Sequence, residues 1–171
     1  IDYLKFAKNL AKKQELFFKC LFYYTSPPFQ SEPLTQDQIK RKQGYDKFIA
    51  SFGKNKEVTI RGGRCQRVFD KNSHEIFKQN GVDALMVSDM VSVPIKFPSI
   101  KKIILVTSDT DFCPIMGDIE KLGVKVILYT YYERNRKSKF SVSHHLIDCC
   151  EDTFYLTKQD FLNATLDKIL K

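Results

Sequence analysis

Two apolar runs separated by a helical pattern constrain the fold of this chain most strongly. Residues 103–106 are Ile-Ile-Leu-Val, and residues 124–129 are Val-Lys-Val-Ile-Leu-Tyr. Nearly continuous apolar runs of this length are typical of strands that are buried on both faces, as in a parallel sheet covered by helices. Phe112, Met116 and Ile119 lie between the runs at helical spacing. We therefore predict an α/β fold with a mostly parallel sheet and helices on both of its faces.

Capping and stop residues bound several of the predicted helices. Asp2 precedes a helical apolar pattern and is predicted to cap it, and Thr35 with Gln38 is a capping-box signature. A further helix is expected to start at Asp83 and to stop before Pro94. The other predicted elements are strands over residues 16–24, 58–60, 102–107, 124–129 and 153–156, short helices over residues 74–80 and 143–147, and a closing helix over residues 159–170.

Size and composition indicate an ordinary folded domain. A chain of 171 residues is expected to form a single domain spanning residues 1–171, and 43% hydrophobic with 28% charged residues argues against disorder. No apolar run approaches the roughly 18 residues that span a bilayer, and the amino terminus does not resemble a secretory signal. We predict a cytoplasmic protein with no membrane partner and leave a homodimer open. The net charge of +8 favours an anionic partner such as RNA or DNA.

The cysteines carry no recognisable motif. They number five, and Cys149 and Cys150 are adjacent without any CxxC spacing in the chain. Zinc ribbons and CxxC redox sites are therefore unsupported, and we predict reduced thiols. The adjacent His144 and His145 would point apart on a helix or strand, so we expect surface positions for them.

Two aspartates follow the apolar run that ends at Val106. Asp109 and Asp111 come where a strand gives way to a helix, and ligands of open α/β sheets bind outside the carboxyl ends of the strands. Crowded carboxylates repel each other unless a cation lies between them, and hard divalent cations prefer oxygen ligands. The pair is therefore a candidate metal site. The alternative is structural: Asp111 could cap the helix and Asp109 could close an Asx-turn.

Two further aspartates come earlier in the chain. Asp83 could join the metal site through the proximity of loops at one edge of the sheet, or could serve as a helix cap alone. Asp89 lies six residues later, roughly 120° away around the helix, so we interpret it as a solvated helix residue.

A basic loop follows the second apolar run. We predict that its cationic side chains contact nucleic-acid phosphates, the alternative being an ordinary solvated turn. Tyr129, Tyr131 and Tyr132 precede the loop and are candidates for stacking on bases, although some of them must belong to the core. The cationic residues of the loop are Arg134, Arg136, Lys137 and Lys139.

These features together resemble an NYN domain, a branch of the PIN-like nucleases, close to its LabA-like members. Residues 105–114 are similar to the family's strand that ends in Ser-Gly-Asp-Ser-Asp-Phe, with Thr-Ser in place of Ser-Gly at residues 107–108. Residues 78–85 with Asp89 are similar to the family's Lys-Gly-Val-Asp segment and its downstream aspartate. Residues 123–126 and the pattern Ser143, Leu146, Asp152 and Phe154 fit the family's closing third.

The resemblance implies a Rossmann-like three-layer sandwich and an acidic site that binds Mg²⁺ or Mn²⁺ for RNA cleavage. By position it makes Asp83, Asp109 and Asp111 catalytic and metal-binding residues, and Asp89 a weaker metal candidate. It also departs from the family at the start. NYN domains open with a strand that ends in Ile-Asp-Gly-x-Asn, whereas Ile1-Asp2-Tyr3 matches a later helix of the family. We expect the natural protein to extend upstream of Ile1, the alternative being a truncated or inactive relative.

The predicted function is therefore metal-dependent hydrolysis of RNA phosphodiester bonds. This chemistry needs no side-chain nucleophile, and the sequence offers no convincing Ser, Cys or His triad. The alternative is a non-catalytic RNA-binding or regulatory module that retains the fold. A phosphatase or a DNA nuclease on the same scaffold is a third reading, since a fold does not determine a function.

Overall fold

The computed structural model describes residues 1–133 and 143–166, and the chain forms two compact units in it. Unit 1 comprises Ile1–Phe18 and Val87–Lys171, and unit 2 comprises Lys19–Met86. The elements are the helices α1 (Tyr3–Lys13), α2 (Gln36–Phe52), α3 (Val82–Lys96), α4 (Cys113–Lys121), α5 (His144–Asp148) and α6 (Lys158–Leu162), the strands β1 (Leu21–Thr25), β2 (Val58–Gly62), β3 (Arg64–Phe69), β4 (Glu75–Asn80), β5 (Lys102–Val106), β6 (Lys125–Thr130) and β7 (Asp152–Tyr155), and a 3-10 turn over Thr110–Phe112 before α4.

Unit 1 is built on a parallel sheet of three strands in the order β5-β6-β7. The central strand is β6, in which every residue except the first, Lys125, is buried. Leu105 of β5 is in register with Leu128, and Tyr129 is in register with Phe154 of β7. The predicted parallel sheet is therefore confirmed, and so is the burial of β6. The expected burial of residues 103–106 was wrong in part: β5 lies at the edge of this three-stranded sheet, and Val106 at its end is exposed.

Helices cover both faces of this sheet. Ile127 and Tyr129 of β6 pack in one cluster with Phe6 of α1 and with residues near the end of α6. Leu128 points to the opposite face, because side chains alternate along a strand, and it packs there with Leu146 of α5. Unit 1 is thus an α/β arrangement of three layers, as the apolar runs predicted.

The predicted N-terminal caps are present. The Asp2 carboxylate accepts a hydrogen bond from the Lys5 amide at 2.9 Å at the start of α1. The Thr35 hydroxyl accepts from the Gln38 amide at 3.2 Å, and the Gln38 side chain accepts from the Thr35 amide at 3.2 Å, which completes the capping box of α2. These local signals are confirmed because each depends on residues within one helical turn.

Unit 2 contains the parallel pair β1-β2 and helix α2 beside it. Tyr23 of β1 packs edge-on against Phe48 and Phe52 of α2, with ring centroids 5.7 and 5.2 Å away. The strand predicted over residues 16–24 begins only at Leu21, where its partner strand begins at Val58. The early start was wrong because a strand extends only where a neighbour offers hydrogen bonds to its backbone.

A β-hairpin replaces the short helix predicted over residues 74–80. Strands β3 and β4 pair in antiparallel register from Arg64–Asn80 to Phe69–Glu75. The Asp70 carboxylate accepts hydrogen bonds from the amides of Asn72 and His74, both at 2.8 Å, and so closes the turn. The helix prediction was wrong because these cross-strand bonds satisfy the backbone along both strands.

Pro94 does not end α3, which continues to Lys96. The Phe97 amide bonds to the Val93 carbonyl at 2.8 Å, so the helical hydrogen-bond pattern resumes after the proline. Pro94 removes one backbone donor in the last turn, and burial of the neighbouring Met90 and Val93 holds the helix there. The predicted stop was therefore wrong.

The closing helix is shorter than predicted. α6 ends at Leu162, and the Thr165 hydroxyl donates to the Leu162 carbonyl at 3.1 Å, which satisfies a terminal acceptor from outside the helix. Residues 167–171, which the prediction partly included, lie outside the described residues.

In the part of the chain that the structure describes, no helix combines the length and apolar character needed to cross a membrane.

Asp160 joins the two helices that cover one face of the sheet. Its buried carboxylate pairs with the Lys13 ammonium of α1 and accepts from the Thr157 amide at 2.8 Å and hydroxyl at 2.7 Å. Burial favours the neutral acid, but the bonds from Lys13 and Thr157 outweigh it, so the pKa of Asp160 lies below its usual 3.8. The charged form therefore stabilises the folded chain.

We expect Asp160→Asn to lower the free energy of unfolding by about 1–3 kcal/mol at neutral pH, because a charge-assisted hydrogen bond is lost. Because the pKa of Asp160 is lower in the folded chain than in the unfolded chain, its charged form stabilises the fold above about pH 4. This stabilisation is lost as the pH falls through the pKa that Asp160 has in the folded chain. The difference from the parent protein should therefore shrink at about pH 3. Urea unfolding at both pH values measures it.

Asp118→Asn is the matched control, because Asp118 pairs with Lys121 across an exposed turn of α4 at 2.9 Å. Its effect should be within about 0.5 kcal/mol, as for exposed ion pairs in general. Equal stability losses for the two variants would contradict the importance of the buried pair.

Candidate functional site

The turn after β5 orders the Asp109–Asp111 pair. The Asp109 amide donates to the Thr107 hydroxyl at 3.1 Å, and the Asp111 amide donates to Oδ1 of Asp109 at 2.9 Å. Asp109 therefore caps the 3-10 turn Thr110–Phe112, and Phe112 behind it is fully buried. The Asx-turn that the sequence offered as an alternative is present. It places both aspartates at the carboxyl end of a parallel strand.

The two carboxylates keep oxygens available for a ligand. Both side chains are exposed, and one Asp109 oxygen suffices for the turn. Among the described residues, neither the second Asp109 oxygen nor the Asp111 carboxylate has a hydrogen-bond or ion-pair partner. Such free carboxylate oxygens are the donors that Mg²⁺ and Mn²⁺ prefer. The donor set of the turn therefore fits a hard divalent cation.

Asp83 and Asp89 both lie on α3 but in different surroundings. The helix begins at Val82, so Asp83 is in its first turn rather than at the cap, and its side chain is exposed within unit 2. Negative charge is favourable there because the helix dipole is positive at that end. Asp89 belongs to unit 1 and is 3% exposed, so its interpretation as a solvated helix residue was wrong.

Aromatic side chains lie at the same carboxyl edge of the three-stranded sheet. Tyr155 ends β7, and Tyr132 follows β6 with its ring centroid 5.2 Å from that of Tyr155. These two rings are about half exposed, as is Tyr131. Tyr129, in contrast, is buried against Phe154 and belongs to the core. The structure thus divides the predicted tyrosine cluster into core and surface members.

The predicted phosphate-binding loop follows Tyr132 in the sequence. Its four cationic residues lie outside the described residues and stay a prediction: Arg134, Arg136, Lys137 and Lys139.

The comparison with protein families covers nearly the whole chain. Residues 1–157 match the NYN domain. The chain belongs to the NYN domain family. Membership implies a nuclease-like domain of the RNA-cleaving type, in a family that typically uses divalent metals. No curated protein and no solved structure matches the chain.

This NYN domain also gathers three residues that sequence reasoning missed. Within residues 1–133 and 143–166, one group of three Cys, His, Asp or Glu side chains has ligand atoms all within 4.8 Å of one another, and it consists of Cys113, His145 and Cys149. The spacing of His145 and Cys149, four residues apart on one helical face, was the available signal. The predicted surface positions of His144 and His145 are confirmed.

Burial keeps the thiols of Cys113 and Cys150 protonated at neutral pH, because it raises the pKa of both. Burial raises the pKa of Cys113 to about 11, and a hydrogen bond with Cys149 adds to the shift. Burial likewise raises the pKa of Cys150 to about 11. Cys113 and Cys150 are therefore poor nucleophiles at neutral pH.

The stability of Asp109 variants tests the capping role of this residue separately from any role in catalysis. Asp109→Ala should lower the free energy of unfolding by about 1 kcal/mol, because the Asp111 amide loses its acceptor. Asp109→Asn keeps an acceptor oxygen and should match the parent protein. Asp111→Ala, which removes no described partner, is the control. Urea unfolding that gave equal values for the Ala and Asn variants would show that the cap does not stabilise the turn.

Proposed function

We propose that this NYN domain hydrolyses RNA phosphodiester bonds. Asp109 and Asp111 are the proposed catalytic carboxylates and hold Mg²⁺ or Mn²⁺. Asp83 stays a predicted catalytic and metal-binding residue, and Asp89 a weaker metal candidate, both from the resemblance to the family. One observation carries the proposal: two exposed carboxylates with unused oxygens follow the carboxyl end of a parallel strand in a domain of a nuclease-like family. Ligands of open α/β sheets bind at that end of the strands.

Each residue of the turn has a separate role in this proposal. When bound, the divalent ion supplies Lewis-acid polarisation of a phosphoryl oxygen and lowers the pKa of a water. One carboxylate oxygen of Asp109 accepts a hydrogen bond from the Asp111 amide. This bond fixes the Asp109 rotamer and leaves the other oxygen pointing outward. Asp111 contributes an exposed carboxylate at the start of the 3-10 turn. The Thr107 hydroxyl holds the backbone between strand and turn.

The carboxyl edge of the sheet is the proposed RNA-binding surface. Tyr132 and Tyr155 present half-exposed rings there, and bases of any sequence stack on such rings. The basic segment 134–139 follows Tyr132 in the sequence and would supply charges for phosphates. The net charge of +8 supports an anionic substrate. The cytoplasmic location stays a prediction.

A non-catalytic RNA-binding module is the second candidate. The role of Asp109 as a cap favours it, because that role alone accounts for an aspartate at this position. The two candidates differ in turnover, since both would bind RNA and only the nuclease would cleave it in the presence of Mg²⁺ or Mn²⁺.

We expect Asp109→Asn to lower metal-dependent RNA cleavage at least ~100-fold, since even residues that only support metal ligands are worth 10–100-fold. The variant keeps the acceptor for the Asp111 amide, so the loss would not come from unfolding. Cleavage of labelled single-stranded RNA by purified protein with Mg²⁺ or Mn²⁺ measures it.

Asp118→Asn is the control for that assay, because Asp118 lies on the exposed face of α4 and pairs with Lys121. It should cleave at the parental rate. Unchanged cleavage by Asp109→Asn would refute the catalytic assignment, and RNA binding without turnover by the parent protein would favour the binding module.

Removal of the exposed tyrosine rings should weaken RNA binding. Tyr132→Ala and Tyr155→Ala are each expected to raise the Kd for single-stranded RNA about 5- to 100-fold, the equivalent of one base stack. Phe17→Ala is the control, since Phe17 is fully exposed in the loop after α1. Fluorescence anisotropy at fixed salt measures the three affinities, and equal values for all three variants would count against this surface.

A further inference from the structure

Cys113, His145 and Cys149 come from two helices of unit 1. Cys113 is the first residue of α4, while His145 lies in α5 and Cys149 forms its C-cap. The four-residue spacing places His145 and Cys149 on one face of α5, toward Cys113. Ser143 sets the start of this helix, since its hydroxyl accepts from the His145 amide at 3.2 Å.

The spacing of the three ligand atoms is close to that of a metal site. Each atom lies within 4.8 Å of the other two. Tetrahedral zinc with Zn–S near 2.3 Å and Zn–N near 2.0–2.1 Å separates its ligand atoms by about 3.5–3.8 Å. A rotamer adjustment of about 1 Å or less per side chain therefore closes the group on an ion.

We propose that Cys113, His145 and Cys149 bind one zinc ion per chain. Two thiolates and an imidazole are soft and borderline ligands, which select zinc over the hard cations that suit the aspartates. Among the described residues this group has three members, so a water completes the tetrahedron. The exposed His145 leaves the site open to solvent, while Cys113 is buried.

The ion would link two elements that otherwise meet through apolar contacts. Cys113 and the fully buried Leu146 already belong to one cluster with Leu128 of the central strand. Helix α5 also contacts the 3-10 turn Thr110–Phe112, which carries Asp111. The zinc would therefore brace α5 against the start of α4, at a site that uses none of the proposed catalytic carboxylates.

The competing explanation is a pair of thiols in an apolar cluster. The sulfurs of Cys113 and Cys149 lie within 4.8 Å of each other, and cysteine without a metal behaves as a small apolar residue. That explanation gives no role to His145, which is exposed. It also predicts no stoichiometric metal.

Metal binding by the purified reduced protein separates the two explanations. The protein is stripped with a chelator and then titrated with Co²⁺, which reports tetrahedral thiolate coordination by visible d–d and near-ultraviolet charge-transfer absorption. We expect saturation at one equivalent, displacement of Co²⁺ by Zn²⁺, and a higher Tm after zinc is added. No thiolate charge-transfer band, or a Tm that zinc leaves unchanged, would overturn the proposal.

Variants assign the ligands. His145→Gln and Cys149→Ser should each raise the Kd for zinc at least ~100-fold, because loss of a ligand exceeds the 10–100-fold effect of its supporting residues. His145 is exposed, so its replacement does not disturb the core. Full zinc binding by His145→Gln would overturn the assignment.

Two controls complete the design. Cys150→Ser replaces the neighbouring thiol outside the group and should retain binding, whereas a loss equal to that of Cys149→Ser would overturn the three-ligand set. Asp109→Asn should keep the zinc, which makes failure of this proposal distinguishable from failure of the nuclease assignment.

Discussion

The burial of β6 on both faces is the constraint on which unit 1 depends. A strand covered by helices on each side must satisfy its backbone through neighbouring strands, and β5 and β7 pair with it in parallel. Its alternating side chains then divide the core into two clusters, one toward α1 and α6 and one toward α4 and α5. Because all three strands run the same way, the loops after them meet at one edge.

The chemistry at that edge comes from polar groups that must also build the turn. An aspartate has two carboxylate oxygens, so Asp109 satisfies the Asp111 amide with one and keeps the other. Structural and functional interpretations of this residue are therefore compatible. In the same way, Cys113 packs in an apolar cluster and its sulfur also lies within ligand distance of His145.

Features that depend on a few neighbouring residues were predictable. The caps at Asp2, Thr35 and Ser143 follow from side chains that reach an amide two or three residues away. The hairpin of β3 and β4 was missed because its strands are mostly exposed and lack the apolar alternation that marks a half-buried strand. The Asp70 turn between them was the signal that could have indicated it.

Predictions that depend on distant partners failed at their boundaries. The start of β1 is set by where β2 begins, and Pro94 stays helical because the buried side chains around it hold α3. Neither fact can be obtained from the local pattern, since the first depends on pairing between two distant strands and the second on burial in the folded chain. The extent of an element is in this sense a tertiary property.

By itself, the sequence determined the α/β class, the family and the aspartate pair at the end of β5, because apolar runs, caps and a contiguous motif are written in neighbouring residues. The tertiary structure alone decided that Tyr129 is core while Tyr132 is surface, that Asp89 is buried, and that Cys113 meets His145 and Cys149. Those outcomes depend on packing between elements, because the fold, and not the position of a residue in the chain, determines which side chains it contacts.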